Sequence, residues 1–285
     1  MIWNTARGKT ILHVSEAFAV EDVLQEKTIR ESPNWYEHYF GPDYLIIDHQ
    51  HKTSLEVDFI LGALKLDAGT KLLDIACGYG RHLVPLAERG IDVIGCDRSP
   101  FMLQEAQKSL QAVRRKGKEI GAQNRLVRCD MRELPFTRFF DCACNMFNSF
   151  GYFSDEDDNY RALSAVAQAL KPGGLFLLDL ENRDLLLRSM TTKDWFESGD
   201  AVILEEKKFD FHRNRTEIDV RLIDKKGGRS YHHSIRVYSF SEISMLLNAA
   251  GFMVRAVFGG FNAEDFDWDH DRMLIISQVD DKEDE

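Results

Sequence analysis

Lys71 to Gly80 reads KLLDIACGYG, an apolar run carrying one acidic residue, Asp74, that breaks into a loop with glycines at 78 and 80. A run of this kind is a buried parallel strand feeding a tight turn, after which Arg81 to Arg89 opens a helix. Glycines at the turn remove the Cβ atoms that would hold a nucleoside away, and they leave backbone amides free to face it. Asp74 adds a carboxylate just before the bend. The stretch predicts an α/β fold with a cofactor site at the end of its first strand.

On either side of this stretch, strand and helix signals alternate from about residue 55 to residue 180, the pattern of a doubly wound, mostly parallel seven-stranded sheet covered by helices. Thr53 to Leu66 has helical spacing, and Asp92 to Cys96 follows as the second strand. Ser99-Pro100 supplies an N-cap and a first-turn proline for a helix to about Val113. Arg125 to Cys129 and Phe139 to Met146 are the next strands. Ser154 with Asp157 fits a capping box for a helix that ends near Leu170. Lys171-Pro172-Gly173-Gly174 turns that helix into a strand at Leu175 to Leu180.

After Arg183 the pattern changes. Ala201 to Asp210, Thr216 to Asp224 and Arg229 to Tyr238 alternate apolar and polar residues, as in an antiparallel meander with one buried face. The wound pattern resumes with a helix capped by Ser239 and Glu242, then strands at Met253 to Phe258 and Arg272 to Val279. The expected organisation is therefore an aromatic-rich N-terminal cap over residues 1–52, a core over 53–184 and 239–279, an inserted antiparallel β unit over 185–238, and an acidic tail over 280–285. The insert belongs beside the carboxyl ends of the parallel strands, as a lid or as a dimer surface.

Composition narrows the partners. A net charge of −11 over 285 residues opposes tight association with nucleic-acid phosphates or anionic membranes. The basic run Arg114 to Lys118 reads as a solvated helix end. The five cysteines, Cys77, Cys96, Cys129, Cys142 and Cys144, sit in apolar contexts, the pattern of free thiols in a reducing compartment. Cys142 and Cys144 share a strand face without a second pair at zinc spacing, so no metal is expected. No run approaches membrane-spanning length, and the reading is a cytoplasmic protein.

Three carboxylates sharpen the cofactor. A dinucleotide loop carries G-x-G-x-x-G, whereas this one has Ala76 at the first small position and Arg81-His82 at the helix opening, which argues against NAD. Asp97 closes the second strand, where a carboxylate can accept both hydroxyls of a ribose. Asp130, after the third strand, can accept from an adenine amino group, with Met131 against the ring. All three acids would project from one edge of the sheet.

These residues resemble the class I S-adenosylmethionine-dependent methyltransferases over about residues 55–180 and 239–279. Asp74 with the Ala76 to Gly80 loop is similar to the family's first motif, Asp97 to its ribose-binding acid, and Asp130-Met131 to its adenine-contacting pair. LKPGG at 170–174 is a further hallmark. Alanine at 76 is similar to a subset that includes amino-sugar and glycine N-methyltransferases, and MFNSFGYF at 146–153 resembles the amino-sugar enzymes. The resemblance implies S-adenosylmethionine as cofactor, held by Asp74, Ala76, Cys77, Gly78, Gly80, Asp97, Arg98, Met102, Asp130, Met131, Met146 and Tyr44. It also implies that N-terminal aromatics such as Tyr36, Tyr39 and Tyr44 close over the methionine end.

Methyl transfer from a sulphonium is an in-line displacement, in which alignment and exclusion of water are the protein's main contribution. A base is needed only for a protonated acceptor. On the acceptor side the candidates are Asn148, Ser149 and Tyr152 after the fourth strand, and Glu181, Asn182 and Arg183 after the fifth. Arg183 reads either as a carboxylate or phosphate ligand or as a surface ion pair. Tyr152 reads either as an acceptor contact or as loop packing. Of His232 and His233 only one can face the site, because neighbours on a strand point to opposite faces. The expected activity is methylation of a small-molecule acceptor on nitrogen or oxygen. A nucleoside-binding protein of the same fold with a non-methylating role is the alternative.

Overall fold

The computed structural model describes residues 35–48, 52–115 and 125–280. Residues 1–34 and 49–51 of the expected cap, the last residues of the basic run and tail residues 281–285 lie outside the described residues. In chain order the first elements are α1 (Trp35–Tyr39), α2 (Tyr44–Ile47), α3 (Thr53–Ala63), β1 (Lys71–Ile75), α4 (Leu83–Glu88), β2 (Asp92–Asp97) and α5 (Pro100–Arg115). Then come β3 (Arg125–Arg128), β4 (Phe140–Asn145), α6 (Glu156–Ala169), β5 (Leu170–Glu181) and α7 (Arg183–Ser189). The chain continues through β6 (Lys193–Ser198), β7 (Ala201–Asp210), β8 (Arg215–Asp224), β9 (Gly227–Arg236), α8 (Phe240–Ala249), β10 (Phe252–Phe258) and β11 (Arg272–Val279).

Seven strands form one sheet in the order β10-β11-β5-β4-β1-β2-β3. The pairs β1–β2, β1–β4, β2–β3 and β4–β5 are parallel, and β11 runs antiparallel to both of its neighbours. β1 sits in the middle because its side chains suit burial on both faces. Leu72 packs into a core layer with Val57, Ile60, Leu83 and Leu86. Leu73 and Ile75 alternate to the opposite layer, with Phe140, Leu163, Val166, Ile243 and Leu247. Asp74 shares the Leu72 face and is buried there, so the fold carries a carboxylate within its central strand.

The second sheet, β6-β7-β8-β9, is antiparallel throughout. Its inner residues Ala201, Ile203, Val220 and Leu222 pack with Tyr39 and Ile47 of α1 and α2, forming a third apolar cluster. Arg229 pairs with both Asp43 and Asp224, and thereby pins the loop between α1 and α2 to β9.

Several elements depart from the sequence reading. The helix from Thr53 stops at Ala63, because Lys65 adopts the left-handed region at φ 52°. Asp155, not Ser154, caps α6, its carboxylate accepting from the Asp157 amide at 3.1 Å. Two elements were not foreseen. Asn182 caps α7 by accepting from the Asp184 amide, and β6 gives the meander a fourth strand. Among the described residues no helix is long and apolar enough to cross a membrane. Cys142 and Cys144 do share one face, both buried and free.

Candidate active site

The loop after β1 is shaped by backbone constraints. Ala76 is left-handed at φ 56°, which costs a non-glycine residue about 1–2 kcal/mol. Such strain concentrates at functional sites. The Cys77 amide donates to the Cys96 carbonyl at 2.9 Å, which fastens the loop to the end of β2. Gly78 is left-handed at φ 54°, and a Cβ there would meet nothing within 4 Å, so the position opens on a cavity. Gly80 differs. A Cβ on it would lie 3.1 Å from the Ala106 Cβ and 3.3 Å from Val84 Cγ2, and it does not line the cavity. Gly80 is thus the close-packing glycine between loop and α5, in place of the ligand-facing role expected for it.

The cavity has a volume of about 410 Å³, and its walls include every other cofactor-side residue expected from the sequence. Asp97 Oδ2 accepts from the Gly78 amide at 2.9 Å and Oδ1 from the Ser99 amide at 2.7 Å. Burial pushes its carboxyl above the ordinary value, against the pull of those amides. Burial also raises Asp74, to about 6, although the neighbouring His82 works in the opposite direction. For Asp130 burial acts upward too, but Arg132 outweighs it: Nε and Nη2 lie 3.0 and 2.7 Å from the two carboxylate oxygens and hold the group below its ordinary value. Arg98 stacks on the Tyr36 ring at 3.9 Å from its centre, at the rim between α1 and β2.

A charged cluster that sequence reasoning left unassembled stands beside the loop. Glu56, buried on α3, is bonded by His82 Nε2 at 2.7 Å and by Arg81 Nη1. Arg81 Nη1 also donates to Thr53, and the guanidinium lies over the Phe147 ring. The other terminal nitrogen, Arg81 Nη2, is buried and has no hydrogen-bond partner among the described residues. Nearby, Tyr79 donates to Asp48 Oδ2 at 2.9 Å, while Asp48 Oδ1 is buried without a partner among the described residues. A buried donor and a buried acceptor of opposite charge, both on the cavity wall, are what a zwitterionic ligand end would satisfy. The signal in the sequence was Arg81-His82 at the helix opening. Its partner Glu56, like Asp48, which takes the Tyr79 hydroxyl, comes from a segment whose folding back over the loop no local pattern encodes.

The far end of the cavity is aromatic. Trp35 stacks on Tyr152, centroids 5.5 Å apart, and lies nearly parallel to the His233 ring at 6.4 Å. Tyr39 is 4.5 Å from His233, and Phe40 meets Tyr152 edge-on. Of the two histidines on β9, His233 faces inward and His232 is bonded to Asp219 on the other side. Burial drives His233 down to about 3, so it is neutral. Glu181 closes the wall from the end of β5. Burial raises its carboxyl, while Arg272 and Lys207 oppose the shift and Asp271 adds to it.

The loop bearing Tyr152 is tightly determined. Phe147 and Asn148 are both left-handed, and the Phe147 amide donates to Asp179 Oδ2 at 2.7 Å. Asn148 Oδ1 accepts from the Glu181 amide, so this side chain clasps two strand ends while lining the cavity. Gly151 has φ 100°, and a Cβ there would sit 2.6 Å from the Arg236 carbonyl oxygen. Arg215, from β8, donates to the carbonyls of Gly151, Phe153 and Ser234. Arg183 does not reach the cavity: it opens α7, with its guanidinium beside Asp184. The arginine at this end is Arg272 on β11, bonded to Asp179 through Nε at 2.8 Å and through Nη2. It escaped the sequence reading because β11 comes nearly a hundred residues after β5.

Residues 72–174 match a family model described as a methyltransferase domain. A glycine/sarcosine N-methyltransferase of Halorhodospira halochloris is 26% identical over 244 residues, covering 84% of this chain and 87% of that protein. A dTDP-3-amino-3,4,6-trideoxy-alpha-D-glucopyranose N,N-dimethyltransferase of Streptomyces venezuelae is 27% identical over 202 residues, 67% of this chain and 78% of the relative. Among solved structures, an S-adenosylmethionine-dependent methyltransferase from Clostridium acetobutylicum superposes with a TM-score of 0.69 at 21% identity, covering 87% of this chain and 98% of the other. An amino pentose methyltransferase from Micromonospora echinaspora, solved with S-adenosylmethionine bound, gives 0.60 at 21% identity over 83% and 94% of the two chains. Both structural likenesses are likenesses of fold.

Proposed function

We propose that the chain is a class I S-adenosylmethionine-dependent methyltransferase that methylates an amine nitrogen of a small-molecule acceptor. The observation that carries this reading is Glu181. It is a half-buried carboxylate on the wall of the cavity, and no hydrogen bond to its oxygens comes from the described residues. An amine arrives as an ammonium and must lose a proton before its lone pair can attack, so a nearby carboxylate with a raised pKa suits the task. The N-methyltransferase names of the relatives support the same assignment.

The residues present fit the cofactor. Asp97 would take the ribose hydroxyls, Asp130 with Met131 the adenine, and Gly78 leaves room for the backbone to approach. Arg81 Nη2 and Asp48 Oδ1 would take the carboxylate and ammonium of the methionyl end, which meets the need of both buried atoms. Bound there, the cofactor supplies a methyl group on a positively charged sulphur. The chain's own share is to orient the acceptor against Tyr152 and His233 on the cavity wall, exclude water with the aromatic rings, and hold the departing proton at Glu181.

The described cap residues 35–48 and the insert 185–238 belong to this reading as the closure of the acceptor end over the core at 53–184 and 239–279. The acidic charge balance supports a small acceptor rather than a nucleic acid, and the free cysteines support a cytoplasmic setting. Trp195 and Leu204, paired across β6 and β7 and exposed, support self-association through that sheet. Incubation with S-adenosylmethionine and panels of small amines, alcohols and carboxylic acids tests the proposal. Methylated amines are the expected product, and product from alcohols or acids alone would remove it.

A further inference from the structure

We infer that the acceptor end is built for a cationic amine that carries no carboxylate, with Glu181 as counter-charge and the rings of Trp35, Tyr39 and Tyr152 as walls. The inference rests on the methyl-transfer reading above and adds the acceptor's charge. Three observations carry it.

The first is the balance of charge. Arg272 is the one arginine at this end among the described residues of the cavity wall, and Nε and Nη2 of its guanidinium are on Asp179. Asp179 in turn receives the Phe147 amide that sets the acceptor loop. Turning Arg272 toward an incoming carboxylate would strip a buried aspartate of its counter-ion and loosen that loop. Lys207, which also acts on Glu181, is paired with Glu205 at 3.0 Å, and His233 is uncharged. The remaining charge is the negative one on Glu181.

The second is the character of the walls. Trp35 and His233 stand nearly parallel at 6.4 Å, with Tyr152 stacked on Trp35 and Tyr39 against His233. Aromatic faces around a carboxylate attract a desolvated ammonium through the ring quadrupoles, and do the opposite for an anion. The third is access to the proton. The ammonium N–H bond breaks with its electron pair left on nitrogen, and the proton passes to a Glu181 carboxylate oxygen. A carboxylate on the acceptor would compete for that ammonium and be repelled by Glu181.

The test is binding, with the protein first saturated with S-adenosylhomocysteine and then titrated calorimetrically with tetramethylammonium, tert-butanol, acetate and glycine. Tetramethylammonium has the charge but no proton to lose, and tert-butanol has a similar shape without charge. Tetramethylammonium is expected to bind at least tenfold more tightly than the other three, and to lose that advantage in Glu181→Gln. Retained S-adenosylhomocysteine affinity in the variant shows that it is folded. Tighter binding of acetate or glycine, or equal binding of tetramethylammonium and tert-butanol, overturns the inference and leaves methyl transfer standing. Failure of S-adenosylhomocysteine itself to bind would overturn the underlying reading as well.

Discussion

Asp97 and Gly78 are joined by a 2.9 Å hydrogen bond from the Gly78 amide to Oδ2, so the acid that ends β2 also fixes the loop that follows β1. One carboxylate therefore shapes the glycine turn and, in the proposed reading, offers its remaining lone pairs to the ribose. Hydrogen bonds to a charged group are worth about 1.5–3 kcal/mol each. Asp97→Ala is expected to weaken S-adenosylmethionine and adenosine alike by tenfold or more in calorimetry. Unchanged affinity for both would take the ribose site away from Asp97.

The proposed reading puts Arg81 at the other end of the cofactor. Arg81→Met should cost tenfold or more in affinity for S-adenosylmethionine while leaving adenosine, which lacks the methionyl end, within about threefold, given charged hydrogen bonds of about 1.5–3 kcal/mol. Equal losses for the two ligands would mean that the substitution disturbs the loop instead of removing a carboxylate contact.

Gly80 separates architecture from ligand contact. Alanine there meets both a left-handed backbone at φ 84° and the Ala106 Cβ at 3.1 Å. Overpacking and left-handed strain together predict a loss of about 2–4 kcal/mol in urea unfolding. A Gly80→Ala protein of unchanged stability would remove the close-packing role.

Asp74 predicts a trade of stability for function. Burial raises its carboxyl from the ordinary 3.8 to about 6 in the folded protein, so the folded state binds the proton more tightly than the unfolded chain. The contribution of the group to stability is fully present below the unfolded value and is lost as pH rises through about 6, at a cost of about 3 kcal/mol. Asp74→Asn, a neutral isostere, should be more stable than the parent at about pH 8 and lose that advantage near about pH 3, as the linkage relation requires. An advantage independent of pH would contradict the assignment.

How much of this was legible in the sequence follows from how local each signal is. β1 and its loop were readable because KLLDI is apolar on both faces and the following glycines sit where the chain must turn left-handed. The Ser239 and Glu242 capping box was readable because both partners lie within one turn. β6, KDWFES, was missed because its residues are mostly exposed and show little alternation. α7 was missed because it is barely two turns long. Arg183 was preferred to Arg272 because it follows β5 directly. The residue that the topology brings to that end comes instead from β11, which lies beside β5 in the sheet. Gly80 looked like Gly78 in the sequence, and only the approach of Ala106 tells the two apart.

In the proposed reading Glu181 sets the pH dependence of turnover. Burial is the largest influence on it and raises its pKa, so the acid limb of kcat/KM for an amine should lie above the range of an ordinary glutamate. Activity falls as pH drops through that value, because the protonated carboxyl cannot take the proton from the ammonium. Glu181→Gln should lower kcat/KM by roughly 10²–10⁴-fold and abolish the limb. A limb that persists in the variant would move the base elsewhere.

The most direct measurement is transfer from S-adenosylmethionine bearing a trideuterated methyl group, with the product's labelled atom located by NMR. With a small amine lacking a carboxylate, the label is predicted on nitrogen in the wild type and nearly absent in Glu181→Gln. Label on oxygen or carbon, or equal transfer by the two proteins, would contradict the account.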